Sequence, residues 1–166
     1  MVKYLFPFLI LVIIAGCKEK QSEVEETSQE PASFSIQDFP KIIDMETEVQ
    51  SLVGSWPELM ALESSFTVLK RATTIEDVKL AIDDLSEKEK ALALGDYPET
   101  FDKLQIKSRQ RVFRTFLLKV KANLVDNRDI NESMEQMINS YNAFKNQFNV
   151  LNNSTLDVKL ILDEEE

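Results

Sequence analysis

Apolar residues recur at steps of three and four through much of this sequence, and this period is the strongest constraint on its fold. The clearest case is the segment 129–152, where the apolar positions stay in register without interruption. They are Met134, Met137, Tyr141, Phe144, Phe148 and Leu151. Because residues three or four places apart share one face of an α-helix, this spacing predicts a long amphipathic helix.

Four earlier segments show the same period, with helix start and stop signals around them. Ser55 with Glu58, and Thr73 with Glu76, have the spacing of capping boxes, and Gly54 and Gly95 follow apolar stripes as stop signals. The expected helical segments are 38–54, 55–69, 73–95, 102–125 and 129–152. For residues 156–162 the pattern leaves a short helix and a strand-like extension open.

Five amphipathic helices joined by short connections favour an all-α fold, an antiparallel bundle of four main helices and one short extra helix. No alternating strand pattern precedes the C-terminal segment. The chain has 166 residues, 43% of them apolar, and a formal net charge of -10. These values are typical of one acidic soluble domain with enough residues for a core of its own.

The sequence contains no histidine and one cysteine, Cys17. Without imidazole there is no Ser-His-Asp triad, no histidine general base, no haem on a proximal histidine and no histidine-ligated zinc. One cysteine likewise excludes an internal disulfide and any multi-cysteine metal site. With three glycines in the chain, a glycine-rich phosphate loop is not expected either. We therefore expect no catalytic residue, no metal site and no cofactor.

The first 17 residues have the order of a bacterial export signal. Lys3 provides a positive start, residues 4–14 form an apolar run, and two small residues precede Cys17. The apolar run is shorter than the roughly 20 residues that a membrane-spanning helix needs. This order predicts a cleaved signal peptide.

The residues Ile14-Ala15-Gly16-Cys17 resemble the lipobox of bacterial lipoproteins, in which the cysteine is acylated and becomes the first residue of the mature chain. The resemblance implies a signal peptide over residues 1–16 and acylation of Cys17, for example with palmitate. Because several acyl chains anchor a protein stably, the expected partner of this end is a membrane. The alternative is an ordinary signal peptide with a chance cysteine.

The segment 17–37 is acidic and almost free of large apolar residues until Phe34. Such a composition cannot bury enough apolar surface to order itself, so the segment is expected to be a disordered tether. The helical bundle domain is then expected over 38–166. The residue directly after the cysteine is Lys18 rather than an aspartate, which resembles the lipoproteins that Gram-negative bacteria sort to the outer membrane. This resemblance implies a lipid-anchored protein of the cell envelope, with the side of the membrane left open.

The fourth predicted helix carries the strongest charge feature of the chain, seven basic residues and no acidic one from Lys103 to Val125. They are Lys103, Lys107, Arg109, Arg111, Arg114, Lys119 and Lys121. Helical projection places Arg109 on the apolar face, where a charge needs a partner.

Two interpretations of this basic helix stay open. In the first, it pairs with the acidic third helix, which offers Glu76, Asp77, Asp83, Asp84, Glu87 and Glu89. In the second, Arg109, Arg111 and Arg114 bind a carboxylate or phosphate, for which the fork of a guanidinium is well shaped. Nucleic acid is not an expected partner, because the net charge is negative and the basic face lacks interleaved aromatic residues.

Four asparagines lie at helical spacing in the fifth predicted helix, on the side turned away from its apolar stripe. They are Asn139, Asn142, Asn146 and Asn149. Asparagine is about 0.6 kcal/mol worse than alanine inside a helix, so the four together cost on the order of 2 kcal/mol. Neutral drift is one explanation. The other is a polar contact with a second copy, with the tether or C-terminal segment, or with a protein partner.

Two functional hypotheses follow. The first is a non-enzymatic interaction or structural module, lipid-anchored in the envelope, with the asparagine face as its contact surface. The second is a ligand-binding or sensory bundle that recognises a small anion beside Arg109. The helical part is similar to uncharacterised envelope lipoproteins with a Trp-Pro-headed helix, here Trp56-Pro57, and a last helix of the type found at residues 142–149. That similarity implies no chemistry.

Overall fold

The computed structural model describes the backbone of residues 33–163 and the side chains of residues 33–154. Over these ranges the fold is all-α, an antiparallel bundle of four main helices with one short extra helix, which confirms the predicted fold class. The helices are α1 (Thr47–Val53), α2 (Pro57–Leu69), α3 (Ile75–Leu94), α4 (Leu104–Val125) and α5 (Asn131–Asp163). The lipobox and the predicted tether up to residue 32 lie outside the described residues.

Aromatic side chains fill the centre of the bundle. The ring of Tyr141 in α5 stacks on Phe66 of α2 with 3.8 Å between centroids, and Phe113 of α4 lies 5.1 Å from the same tyrosine. Phe144 and Phe148 extend this aromatic column along α5. The apolar stripe predicted for the fifth helix therefore faces the core and ties α2, α4 and α5 together.

The second predicted helix is confirmed, but it starts without the expected capping box. Trp56 is the N-cap residue of α2, Pro57 occupies the first turn, and no side-chain hydrogen bond caps the helix. Proline is tolerated there because the first N–H groups of a helix have no intrahelical partner. The Trp56 ring is buried and packs against Tyr97 and Phe148, so apolar contacts hold this helix start.

The third predicted helix is also confirmed, with its capping box one residue later than expected. The Thr74 hydroxyl accepts a hydrogen bond from the N–H of Asp77 at 3.1 Å, and the Asp77 carboxylate accepts one from the N–H of Thr74 at 3.2 Å. This reciprocal arrangement satisfies two N–H groups at the start of α3. The predicted pair of Thr73 and Glu76 is therefore wrong by one position.

The predicted helix from Asp38 is wrong over its first half. Ile36–Asp38 form a single 3-10 turn, residues 39–46 have no regular secondary structure, and the helix begins only at Thr47. We call residues 39–46 the strap. The segment keeps its apolar spacing, so periodicity alone did not distinguish it from a helix.

Part of the reason lies in the local sequence of the strap. Phe39 precedes Pro40, and the pyrrolidine ring disfavours the helical conformation in the preceding residue. Phe39 accordingly has φ -114° and ψ 167°, which is extended backbone. Ile42 and Met45 are nevertheless buried, so the strap still packs an apolar side against the bundle.

The chain is already part of the fold at Ser33, although the sequence predicts a tether up to residue 37. The N–H of Phe34 donates to the carbonyl of Thr73 at 2.9 Å, and its buried ring stacks on Phe39 with 5.7 Å between centroids. Residues 33–37 therefore belong to the folded domain, whose predicted start was Asp38.

At the other end, the backbone of α5 stays helical to Asp163, beyond the predicted end near residue 152. The backbone of residues 156–162, for which the sequence left a short helix and a strand-like extension open, is therefore helical. Among the described residues, no helix combines the length and the apolar character needed to cross a membrane.

Candidate functional site

The strap lies along α5, and two asparagines of that helix bind its backbone. The Oδ1 of Asn142 accepts from the N–H of Ile43 at 3.0 Å, and its Nδ2 donates to the carbonyl of Lys41 at 2.8 Å. The Oδ1 of Asn149 accepts from the N–H of Glu46 at 3.0 Å. An amide side chain can both donate and accept, so it can replace the hydrogen bonds that a helix would have provided to these groups.

The asparagine face is divided into two columns with the same spacing of seven residues. Asn142 and Asn149 lie under the strap, half-buried and buried respectively. Asn139 and Asn146 are exposed, and their side chains have no hydrogen-bond partner among the described residues. Asn142 and Asn149 therefore hold a segment of the same chain. Of the four predicted contact residues, Asn139 and Asn146 are the two that are exposed to a partner.

A cluster of three polar side chains, Glu63, Tyr141 and Lys145, lies between α2 and α5, close to the strap. The Nζ of Lys145, whose side chain is 3% exposed, is 3.0 Å from Oε2 of Glu63. The hydroxyl of Tyr141 donates to Oε1 of the same carboxylate. Burial, followed by the negative charge of Glu63, raises the pKa of Tyr141 well above its usual value, so the hydroxyl keeps its proton at neutral pH.

A cavity of about 310 Å³ adjoins this group. The strap and α1 form one wall, and α2 and α5 form the other. The lining residues are Asp44, Met45, Gln50, Val53, Met60, Glu63 and Lys145. Gln50 donates to the carbonyl of Met45 at 2.6 Å, which ties α1 to the strap. The strap therefore covers the groove between α2 and α5 where the buried charges lie.

Arg109 is exposed, so the prediction that it lies on the apolar face of α4 is wrong. Gln110 occupies the buried position between Ile106 and Phe113 and is 3% exposed. Both residues fit a spacing of three and four between those apolar neighbours. The bundle buries the glutamine because a neutral amide is far less costly to desolvate than a guanidinium.

Two ion pairs join the basic α4 to the acidic α3, as the first interpretation of the basic helix predicted. Nε of Arg114 is 3.4 Å from Oε2 of Glu89, and Nζ of Lys121 is 2.8 Å from Oδ1 of Asp83. Glu89 is the more informative partner, since its side chain is only 2% exposed while that of Arg114 is 43% exposed. The structure thus places a buried carboxylate beneath the basic face.

A chain of hydrogen bonds surrounds this carboxylate. Tyr97 donates to Oε1 of Gln110, whose Nε2 donates to Oε1 of Glu89 at 3.2 Å. Burial raises the pKa of Glu89, although Arg114 and Gln110 both act in the opposite direction. Burial, and then the charges of Glu89 and Asp102, raise the pKa of Tyr97 to about 12. The Tyr97 hydroxyl is therefore a neutral donor at physiological pH.

The raised pKa of Glu89 predicts a pH-dependent effect of Glu89→Gln. Because the folded state binds this proton more tightly than the unfolded chain, the carboxyl favours folding below its ordinary pKa of 4.5. That contribution is lost as the pH rises through the higher folded pKa. We therefore expect the free energy of unfolding of the variant, relative to that of wild type, to increase as the pH rises from 4 to 7. Urea unfolding at a series of pH values measures this difference. A constant or falling difference over that range would contradict the prediction.

The described residues contain no group of three or more histidine, cysteine, aspartate or glutamate side chains that could hold a metal ion. Comparisons with known protein families, with curated proteins and with solved structures found no match.

The sequence did not single out Glu63 and Lys145, although a signal for both was present. Glu63 lies three residues before Phe66, and Lys145 lies four residues after Tyr141, so each has the spacing of a buried position. Opposite charges at apolar spacing on two helices indicate a buried ion pair. Which helices face each other is needed to recognise the pair, and only the fold provides that information.

Proposed function

We propose that this protein is a lipid-anchored, non-enzymatic interaction module of the bacterial cell envelope, and that the column of Asn139 and Asn146 is its contact surface. The observation that supports the proposal is the neighbouring column. There, Asn142 and Asn149 bind an extended chain through its backbone N–H and C=O groups. The exposed column has the same residue type at the same spacing, so it can offer a second extended segment the same kind of hydrogen bond.

The partner suited to this surface is an extended segment of another protein. Hydrogen bonds to the backbone place few demands on its sequence, and each contributes about 1 kcal/mol. Val150, four residues after Asn146 and 49% exposed, adds an apolar contact on the same side of α5. Two amides and one apolar side chain favour a weak, reversible contact.

A lipid anchor at Cys17 fits such a weak contact. When both partners are confined to one membrane, the effective concentration of each near the other is high, so low intrinsic affinity suffices. The anchor and the contact surface are therefore two parts of the same proposal.

Site-specific crosslinking in the producing cell tests this proposal. A photoreactive amino acid at Val150 is expected to form an adduct with a second polypeptide, while the same group at Leu80 on α3, which is 71% exposed, should form none. The Val150 adduct should disappear in the Asn139→Ala/Asn146→Ala chain, which keeps the fold but loses the amides. It should also be depleted in Cys17→Ala, which loses the anchor.

An adduct of equal yield at Leu80, or one that survives removal of Asn139 and Asn146, would show that this column is not the contact surface. An adduct with twice the mass of the chain would identify the partner as a second copy. An adduct unchanged in Cys17→Ala would argue against the anchor while leaving the contact surface in place.

A further inference from the structure

Another cavity lies between α3, α4 and the loop that joins them. Its volume is about 300 Å³, enough for a small organic molecule. The polar side chains around it are Glu89, Tyr97, Lys107, Gln110, Arg111 and Arg114. This site is independent of the proposed contact surface on α5.

The floor of this cavity is a closed set of hydrogen bonds. Glu89 and Gln110 are 2% and 3% exposed, and each finds a partner inside the floor. One carboxylate oxygen of Glu89 accepts from Gln110, and the other faces Arg114. Because these groups satisfy one another, the floor holds a fixed shape without a ligand.

The rim of the cavity carries an excess of positive charge. Arg114 is balanced by Glu89, and Lys107 forms an ion pair with Asp102. Arg111 differs, because the one hydrogen bond that its side chain makes within the described part of the chain runs from Nε to the carbonyl of Lys107 in its own helix, at 3.3 Å. The terminal nitrogens of Arg111 thus have no acceptor among the described residues.

We propose that this cavity binds the carboxylate of a small organic acid, with Arg111 as its main anchor. Two N–H groups of one guanidinium edge can hold both oxygens of a carboxylate in parallel. The single uncompensated positive charge matches a monoanion, whereas a phosphate dianion would bring a second negative charge towards Glu89. Tyr97 and Ala93 also line the cavity, and the Nζ of Lys107 lies 4.9 Å from the centre of the Tyr97 ring, so the apolar part of the acid lies beside Ala93.

The residues that line this cavity differ in part from those that the sequence predicted for an anion site. Arg111 and Arg114 line the cavity, but Arg109 does not, and Lys107 takes its place. Arg109 lies two positions from Arg111 on the same helix, is exposed, and has the same charge. It is therefore a matched control for any effect of net charge alone.

The single tryptophan gives the cavity an internal reporter. The ring of Trp56 packs against the ring of Tyr97 with 4.8 Å between centroids. Titration of the full chain with sodium propionate at constant ionic strength should change the Trp56 fluorescence saturably, while sodium chloride should not. In Arg111→Gln the apparent Kd should rise at least about tenfold, as expected for loss of charge-assisted hydrogen bonds. In Arg109→Gln it should stay within about twofold of wild type.

Since Arg111 is exposed, its replacement should leave the helix content unchanged, which circular dichroism verifies in the same samples. The proposal is overturned if propionate gives no saturable signal with the wild-type chain, or if Arg109→Gln and Arg111→Gln weaken binding equally. Tighter binding of inorganic phosphate than of propionate would assign the cavity to phosphate and overturn the carboxylate assignment.

Discussion

Replacement of Glu63 by glutamine is expected to lower the free energy of unfolding by about 3 kcal/mol, the typical cost of leaving a buried charge without its partner. The reason is the unequal burial of the ion pair. Lys145 is 3% exposed and faces Glu63 at 3.0 Å, so the variant keeps a buried ammonium without a counter-charge. The Glu63 side chain is 27% exposed, and water can reach it when the lysine is removed.

Lys145→Met should therefore cost less than Glu63→Gln, about 1 kcal/mol, because methionine replaces the aliphatic stem and the remaining carboxylate is partly hydrated. The double variant should be more stable than Glu63→Gln alone, because it removes the unpaired ammonium. Urea unfolding at pH 7, followed by circular dichroism, measures all three. Equal costs for the two single variants, or a double variant that costs their sum, would refute this account of the pair.

Replacement of Asn142 and Asn149 by alanine is expected to lower the free energy of unfolding by about 2 kcal/mol. Three hydrogen bonds to the strap are lost, each contributing about 1 kcal/mol. Because alanine has a higher helix propensity than asparagine, each replacement also raises the free energy of unfolding by about 0.6 kcal/mol, which offsets part of the loss. In hydrogen exchange, the amide protons of Ile43 and Glu46 should lose protection, because these N–H groups donate to the two asparagines.

Asn139→Ala/Asn146→Ala is the matched control for that prediction. It changes the same residue type at the same spacing in the same helix, but at exposed positions outside the strap. We expect a gain of about 1 kcal/mol from helix propensity alone. The difference between the two double variants, about 3 kcal/mol, isolates the bonds to the strap. If both pairs change stability by the same amount, the asparagines do not hold the strap.

The helices of the bundle could be predicted because their signals are local. The apolar stripes of α2 to α5 and the stops at Gly95 and after Val125 are properties of short stretches of chain, and the structure reproduces them. The strap was missed for a related reason. Ile42, Met45 and Val49 are three and four residues apart, which suits both a helix and an irregular segment with one buried side.

The choice between Arg109 and Gln110 shows a second limit of periodicity. Both residues lie three and four positions from Ile106 and Phe113, so helical projection alone does not decide which of the two is buried. A rule that compares the cost of burying each side chain would have chosen the amide. Because Gln110 is the buried residue, Arg109 points away from the cavity between α3 and α4. Lys107, Arg111 and Arg114 are the basic residues that line it, and the terminal nitrogens of Arg111 have no acceptor among the described residues.

The sequence by itself determined the all-α class, the number of helices and most of the core, because these follow from helical spacing and from burial of apolar side chains. Only the tertiary structure decided what the asparagines of α5 face. Asn142 bonds to a residue 99 positions earlier in the chain, and Lys145 pairs with one 82 positions earlier. Such contacts depend on which helices become neighbours, and this depends on packing of the whole chain rather than on any short stretch of it.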